Sequence, residues 1–495
     1  MKILLINPPW VLDKESRDFY RITQPEGLGY IAAVLERTSH KVKLVDGAAE
    51  GWRKQNIYKN TIHFGMSYEE INSIIDSYRP DIVGISIIST LFKQNGFNLA
   101  KNIKEHNKEI KIVVGGAHPT VAKEDCLSNE YIDFVVRGEG ELTMMELANE
   151  LEKQYPKLEA IKGISYNGGN KVISTEPREL IIDLDSLPFP ARHFYPMEDY
   201  FMASRKLLSS FALSTYNKKW ATMISSRGCP YNCVFCSIHL SMGRRWRARS
   251  AMNVVSEIEL LVKEYDIEHV AFLDDNMSLN KTRMNEIVDL ILQKNIKFTW
   301  STPNGLRADS LSEELLRKMQ KAGCVRIAVA AESGSQRVVS EVIGKNLDLS
   351  HVVRVVKICK TIGMPVDCFF VMGLLGEKKE EIRQTLEFAK YLKKLGASGF
   401  NFAIATPFPG TRLHKQLVDG GYLHKDFNAF TMFRKNHFIS TPDFTSDDLA
   451  EFQRMANKIN MFPFAYAKFA LLLLIRDPSR FLRLLKTQLL SFIGV

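Results

Sequence analysis

Residues 222–236 read TMISSRGCPYNCVFC, and the rest of the chain is best understood outward from this stretch. An apolar run at 222–226 is followed at once by Cys229, Cys233 and Cys236, spaced by four and then three residues. Three thiolates on one short loop can wrap an inorganic iron–sulfur cube, leaving its fourth iron open to a small chelating ligand. His239 lies three residues beyond the last of them, so a Cys3His zinc site fits the spacing as well. Two features favour the 4Fe–4S reading: the loop opens a long strand–helix repeat rather than a small module, and an aromatic, Phe235, precedes the third cysteine. The other cysteines, Cys126, Cys324, Cys359 and Cys368, are dispersed and read as core thiols. The chain has seven cysteines and no export signal, so disulfides are not expected.

Downstream, apolar strand patterns at 222–226, 269–274, 297–301, 325–331, 366–373 and 399–405 alternate with amphipathic helical patterns at 253–265, 282–294, 312–322, 350–361 and 379–395. Such alternation predicts a partial (β/α)6 barrel over residues 215–420. Upstream, strands at 2–6, 41–45, 81–87, 110–114 and 132–136 alternate with helices, which predicts a doubly wound, Rossmann-like α/β domain over residues 1–150. Ligands in such sheets sit at the carboxyl ends of strands, where Asn7, Ser86, Gly115 and Gly140 fall. Residues 151–214 break the rhythm and read as a connecting segment. Residues 421–495 read as a helical C-terminal segment.

A chain of 495 residues exceeds one ordinary core, so two domains and an appendage are expected. With 45% hydrophobic and 25% charged residues it is globular. The net charge of +10 is spread along the chain, with no compact basic stripe interleaved with aromatics, so no nucleic acid is expected. The nearest approach is Arg244-Arg245-Trp246-Arg247-Ala248-Arg249, which fits a clamp on an anionic substrate group or a solvated loop better than a phosphate contact. The N-terminal MKILLINPPW is too short for a signal peptide, and no run of 18 apolar residues is present. The expected location is cytoplasmic.

Cys-x3-Cys-x-Phe-Cys at the exit of a first barrel strand resembles the signature of the radical S-adenosylmethionine (SAM) superfamily. The resemblance extends downstream. Asp275 and Asn276, after the second strand, stand where the family holds the SAM amino group, although its usual Gly-Gly-Glu is missing. Glu332 and Ser333, after the fourth, resemble its ribose-binding position. Gly373 and Gly376, after the fifth, resemble its adenine-side glycines, and Thr406, after the sixth, suits adenine contact. Residues 1–150 resemble the cobalamin-binding domain that precedes this barrel in one large subfamily, through Asn7-Pro8-Pro9, Pro25-Glu26-Gly27-Leu28-Gly29, Gly115-Gly116-Ala117-His118-Pro119 and Arg137-Gly138-Glu139-Gly140-Glu141. No Asp-x-His-x-x-Gly occurs, so cobalamin is expected to bind without a histidine ligand from the protein, between the two domains.

The resemblance implies 4Fe–4S, SAM and cobalamin as cofactors and a flavodoxin or ferredoxin as electron donor. The function it implies is anaerobic C-methylation of an unactivated carbon in a hydrophobic or natural-product substrate, lipid-like or tetrapyrrole. Anaerobic oxidative cyclisation or carbon-skeleton rearrangement is the alternative within the family. A zinc-bearing nucleic-acid-binding protein is the alternative outside it. In the C-terminal run SRFLRLLKTQLLSFIGV (479–495), apolar residues recur at helical spacing beside Arg480, Arg483 and Lys486. This suits either an interfacial helix on the inner membrane face or a helix packed on the barrel.

Overall fold

The computed structural model describes residues 1–13, 22–57, 61–169, 171–206, 218–424 and 438–460 and the single positions 215, 427, 428, 474, 478 and 482. Apart from Leu482, the basic C-terminal run singled out above lies outside the described residues. The chain divides into two compact units. One comprises Met1–Ala203 with Ser237–Arg247 and Asn428–Arg434; the other comprises Ser204–Cys236, Ala248–Phe427 and Lys435–Val495.

The N-terminal unit is built on five parallel strands: Lys2–Asn7, Lys41–Asp46, Ile82–Ser86, Lys111–Gly115 and Phe134–Val136. Their spatial order is second, first, third, fourth, fifth. The strands are apolar almost throughout because helices cover both faces, and Leu4, Ile6, Val83, Ile85 and Val114 are buried in one cluster with Leu99 and Ile103 of the Lys93–His106 helix. In this order the chain reverses direction across the sheet between the first and third strands, and the crevice at that reversal is where such folds take ligands. Asn7 and Ser86 end those two strands. Within the stretch read as a connector, Ile164–Asn167 and Val172–Ser174 add two antiparallel strands to the sheet beside Phe134–Val136. A second small antiparallel sheet joins Trp10–Asp13, Thr61–Phe64 and Gln55–Ile57; these strands are three or four residues long, and the sequence reading passed over them.

The second unit carries six parallel strands in chain order: Trp220–Met223, His269–Phe272, Thr299–Leu306, Cys324–Glu332, Val366–Met372 and Gly399–Ile404. The sheet does not pair its first strand with its sixth, as expected of a partial barrel. The helices between strands start where short polar side chains can cap them: Ser250, Asn280, Ser312 and Asp348 each accept a backbone N–H of the first turn. The Ser446–Asn460 helix packs on the Lys379–Leu395 helix and the sixth strand, where Asn460 bonds both the N–H and the carbonyl of Phe400. In this unit the sites expected from sequence all fall on loops leaving the carboxyl ends of strands.

Candidate functional site

The loop bearing the three thiols leaves the first barrel strand through Gly228, whose φ of +80° is a left-handed conformation suited to glycine. Its base is held by Asp274, which accepts hydrogen bonds from Ser225 N (3.0 Å), Ser225 Oγ (2.6 Å) and Ser226 Oγ (2.6 Å). Its far side is pinned through the backbone. Val234 N donates to Ile343 O (2.9 Å), Leu413 N donates to Val234 O (3.0 Å), and Arg412 Nη2 donates to Asn232 O (2.5 Å). Cys229, Cys233 and Cys236 are half-buried and not disulfide-bonded. Burial pushes the Cys233 thiol up to about 11, against the opposing pull of the Lys345 and Arg307 cations. Phe235 is half-buried on the same loop.

The donor set is three free thiols on one loop, which suits an iron–sulfur cube, where each thiolate takes its own iron.

The loops after the second and fourth strands bring Asp275, Asn276 and Glu332 to this one. Asp275 Oδ2 accepts Gly228 N (3.3 Å), and Asn276 Nδ2 approaches Cys229 Sγ (3.9 Å). Burial raises the Asp275 carboxyl to about 7, with the Asp274 carboxylate adding and the Gly228 N–H opposing. Glu332 ends the fourth strand with a φ of +67°, rare for a side-chain-bearing residue. Its Oε1 accepts Lys345 Nζ (2.7 Å), which also donates to Ala330 O (2.6 Å). Ser333 is fully buried and turns away, its hydroxyl meeting Thr385 Oγ1 (2.9 Å). Gly373 and Gly376 take φ near +85°. The carboxylate of Glu377 closes that turn, its Oε2 accepting Gly373 N (2.8 Å) and Leu374 N (3.1 Å). Burial lifts Glu377 to about 7, and its Oε1 has no hydrogen-bond partner among the described residues. Thr406 Oγ1 donates to Ile404 O (3.3 Å) after the sixth strand.

Two further residues, Lys345 and Arg307, join this centre. Lys345 follows the π-helical turn Val338–Ile343, a local widening frequent at functional sites; a lone lysine thirteen residues past Glu332 gives no signal in sequence. The Arg307 guanidinium lies 3.8 Å from the ring centroid of Tyr231 in the cysteine loop. It is anchored by Asp309 and by the carbonyls of Lys345 and Asn346. Arg307 thus pairs with a structural acid and orients Tyr231.

In the N-terminal unit, Asn7 Nδ2 donates to Asp46 Oδ1 (3.0 Å), whose other oxygen accepts the Tyr200 hydroxyl (2.6 Å). Pro8 is buried, while Asn7, Ser86 and Gly115 are half-buried at neighbouring strand ends. Ile88, two residues past Ser86, is 58% exposed. Gly116 has a φ of +117°, and a Cβ there would stand 2.6 Å from the Ile87 carbonyl oxygen. His118 is buried, with Nδ1 on Thr90 Oγ1 (3.1 Å) and Nε2 on Asp125 Oδ2 (3.1 Å). Both ring nitrogens are thus taken by protein partners. Glu139 also faces inward: both its carboxylate oxygens take the Arg247 guanidinium (2.7 Å each). Of the basic run 244–249, Arg244 and Arg245 are exposed, while Arg247 and Arg249 are buried in ion pairs with Glu139 and Glu257.

Comparison with known proteins places matches on both units. Residues 223–389 match the radical SAM superfamily, and residues 17–148 match the B12 binding domain. An uncharacterized methyltransferase of Pyrococcus horikoshii is 33% identical over 458 residues, covering 92% of this chain and 91% of the relative. The cytidylyl-2-hydroxyethylphosphonate methyltransferase of Streptomyces wedmorensis is 30% identical over 488 residues, covering 92% and 89%. The anaerobic magnesium-protoporphyrin IX monomethyl ester cyclase of Rubrivivax gelatinosus is 26% identical over 369 residues, covering 73% and 63%. Among solved structures, the radical SAM methyltransferase TsrM of Kitasatospora setae, with cobalamin and a 4Fe–4S cluster bound, shares the fold with a TM-score of 0.67 at 16% identity, covering 92% and 88%.

Proposed function

We infer, from the premise that this chain belongs to the cobalamin-dependent radical SAM methyltransferase family, that it methylates an unactivated carbon of a hydrophobic or natural-product substrate. The observation that carries this reading is the pinned loop of Cys229, Cys233 and Cys236, joined at one centre by the exits of the second and fourth strands. The family's cofactors are a 4Fe–4S cluster, SAM and cobalamin. When bound, the cluster supplies the electron that cleaves SAM, and cobalamin carries the methyl group.

The residues of this chain then have distinct tasks. The three thiolates hold the cluster and leave one iron for SAM. Asn276 and Asp275 stand beside Cys229 and Gly228 and are assigned to the SAM amino group. Glu332, fixed by Lys345, is assigned to the ribose. The Gly373–Gly376 turn, held by Glu377, and Thr406 are assigned to the adenine side. Tyr231, covered by Arg307, and Phe235 shield the loop from water. In the N-terminal unit, the crevice at Asn7, Ser86 and Gly115 takes cobalamin, with no imidazole from His118.

Anaerobic reconstitution followed by metal analysis and product mass tests this reading. Iron and cobalt together, with a product heavier by one methyl, support it. Loss of hydrogen or gain of oxygen supports the oxidative reading, which the cyclase relative keeps open. Zinc in place of iron overturns both. A flavodoxin or ferredoxin is the assigned electron donor. The run 479–495 is assigned to anionic lipid; equal sedimentation with anionic liposomes of the full chain and of a chain ending at Asp477 would refute that contact.

A further inference from the structure

Within the barrel unit, the chain leaving the fourth strand and the turn after the fifth meet at one carboxylate of the Lys379–Leu395 helix. Glu381 is 8% exposed, and both of its oxygens are filled. Oε1 accepts Ser335 Oγ (3.0 Å) and Arg337 Nε (2.8 Å); Oε2 accepts Arg337 Nη2 (2.5 Å) and Lys378 N (3.0 Å). Arg337 Nη2 also donates to Gly376 O (2.8 Å). One guanidinium therefore ties the segment that follows Glu332 to the turn that holds Gly373 and Gly376. One helical turn further on, Thr385 Oγ1 accepts Gly334 N (2.9 Å), donates to Glu381 O (3.0 Å) and meets the Ser333 hydroxyl (2.9 Å). The Ser333 oxygen in turn accepts Ser335 N (3.1 Å). A Cβ on Gly334 would stand 2.6 Å from the Gln384 carbonyl oxygen, so the backbone itself lies against this helix.

We propose that Arg337 and Glu381 are positioning residues for the nucleoside half of SAM: their ion pair sets the spacing between the ribose-side exit at Glu332 and the adenine-side turn Gly373–Gly376. The proposal rests on the assignment of those two exits to SAM, but the fastening itself is testable without any cofactor. The methionine half of SAM is assigned elsewhere, to the open iron and to Asp275 and Asn276. Loss of the pair therefore weakens recognition of the nucleoside and spares that of methionine. A planar fork on a carboxylate is a geometry that lysine does not reproduce. The Arg337 side chain is 40% exposed, so its replacement opens no cavity in the core.

The test uses the full chain and compares R337M, E381Q and R337K with E387Q, which breaks an exposed pair with Lys390 on the same helix. Without cofactors, hydrogen–deuterium exchange in peptides spanning 333–338 and 373–378, normalised to the core strands, is expected to quicken at least tenfold in R337M and E381Q, less in R337K, and not in E387Q. After anaerobic reconstitution to equal iron content, equilibrium dialysis is expected to show SAM binding weakened at least tenfold in R337M and E381Q. The effect of L-methionine on the electron-paramagnetic-resonance spectrum of the reduced cluster is expected to match that in the wild type. Unchanged SAM affinity in R337M, or SAM and methionine responses weakened alike, would overturn the proposal. Should R337M fail to fold, wild-type exchange and SAM affinity in R337K would overturn it equally. Should the wild-type chain bind no iron or no SAM, the functional assignment fails while the exchange result still decides the fastening.

Discussion

Lys345 and Glu332 form an ion pair whose side chains are 6% and 11% exposed. Removing one member of such a pair strands the other charge at a cost of about 3–5 kcal/mol. K345M is therefore expected to lose stability on that order in urea denaturation, and K345M/E332Q to recover most of it; equal losses in the two would show that the pair is not what matters. Glu377 makes a pH-dependent contribution. Its carboxyl is raised to about 7 from 4.5, so the folded state favours the proton. The stabilisation is complete below the unfolded value and is lost as pH rises through about 7. Across that window the wild type should lose on the order of 3 kcal/mol relative to E377Q, read as the difference between their urea midpoints at pH 4.5 and 8. At this scale the sequence exposed the chemistry-bearing residues but not their partners. Glu332, Gly373 and the cysteines stand in recognisable order, whereas Lys345 is chosen by a π-helical turn that leaves no mark on composition or period.

Strands and helices were the most legible elements. Each parallel strand read from apolar runs is found within a few residues, because a strand covered on both faces must be continuously hydrophobic. Less legible were the strands at 164–174, which extend an edge of the sheet and carry a mixed pattern. In the basic run 244–249, Arg247 is buried against a partner 108 residues away in sequence, which no local pattern reveals. Gly116 is an element-scale case in which the signal was clear, since a glycine pair after a strand marks a close backbone approach. G116A would set a Cβ against the Ile87 carbonyl in a left-handed backbone. Strain of this kind costs about 1–3 kcal/mol, so the variant should be destabilised in urea by at least that much and retain less cobalamin when cobalt is counted. A variant with unchanged stability and cobalt would contradict the assignment of this turn.

The chain as a whole joins two compact units, each with its own sheet. If the two cofactors are held independently, the triple substitution C229A/C233A/C236A should abolish iron binding and leave the cobalt content of the reconstituted protein near that of the wild type. Parallel loss of cobalt would show that the two occupancies depend on each other. The cysteine loop has a further consequence for how such a protein lives with oxygen. Its backbone is tied by Asp274, Ile343, Leu413 and Arg412, bonds that involve only polypeptide. Damage by air would strip the inorganic core yet spare the mould around it. Repair then becomes a matter of refilling with iron and sulfide rather than of new synthesis, and a chelated sample should keep its melting temperature and regain its colour on reloading.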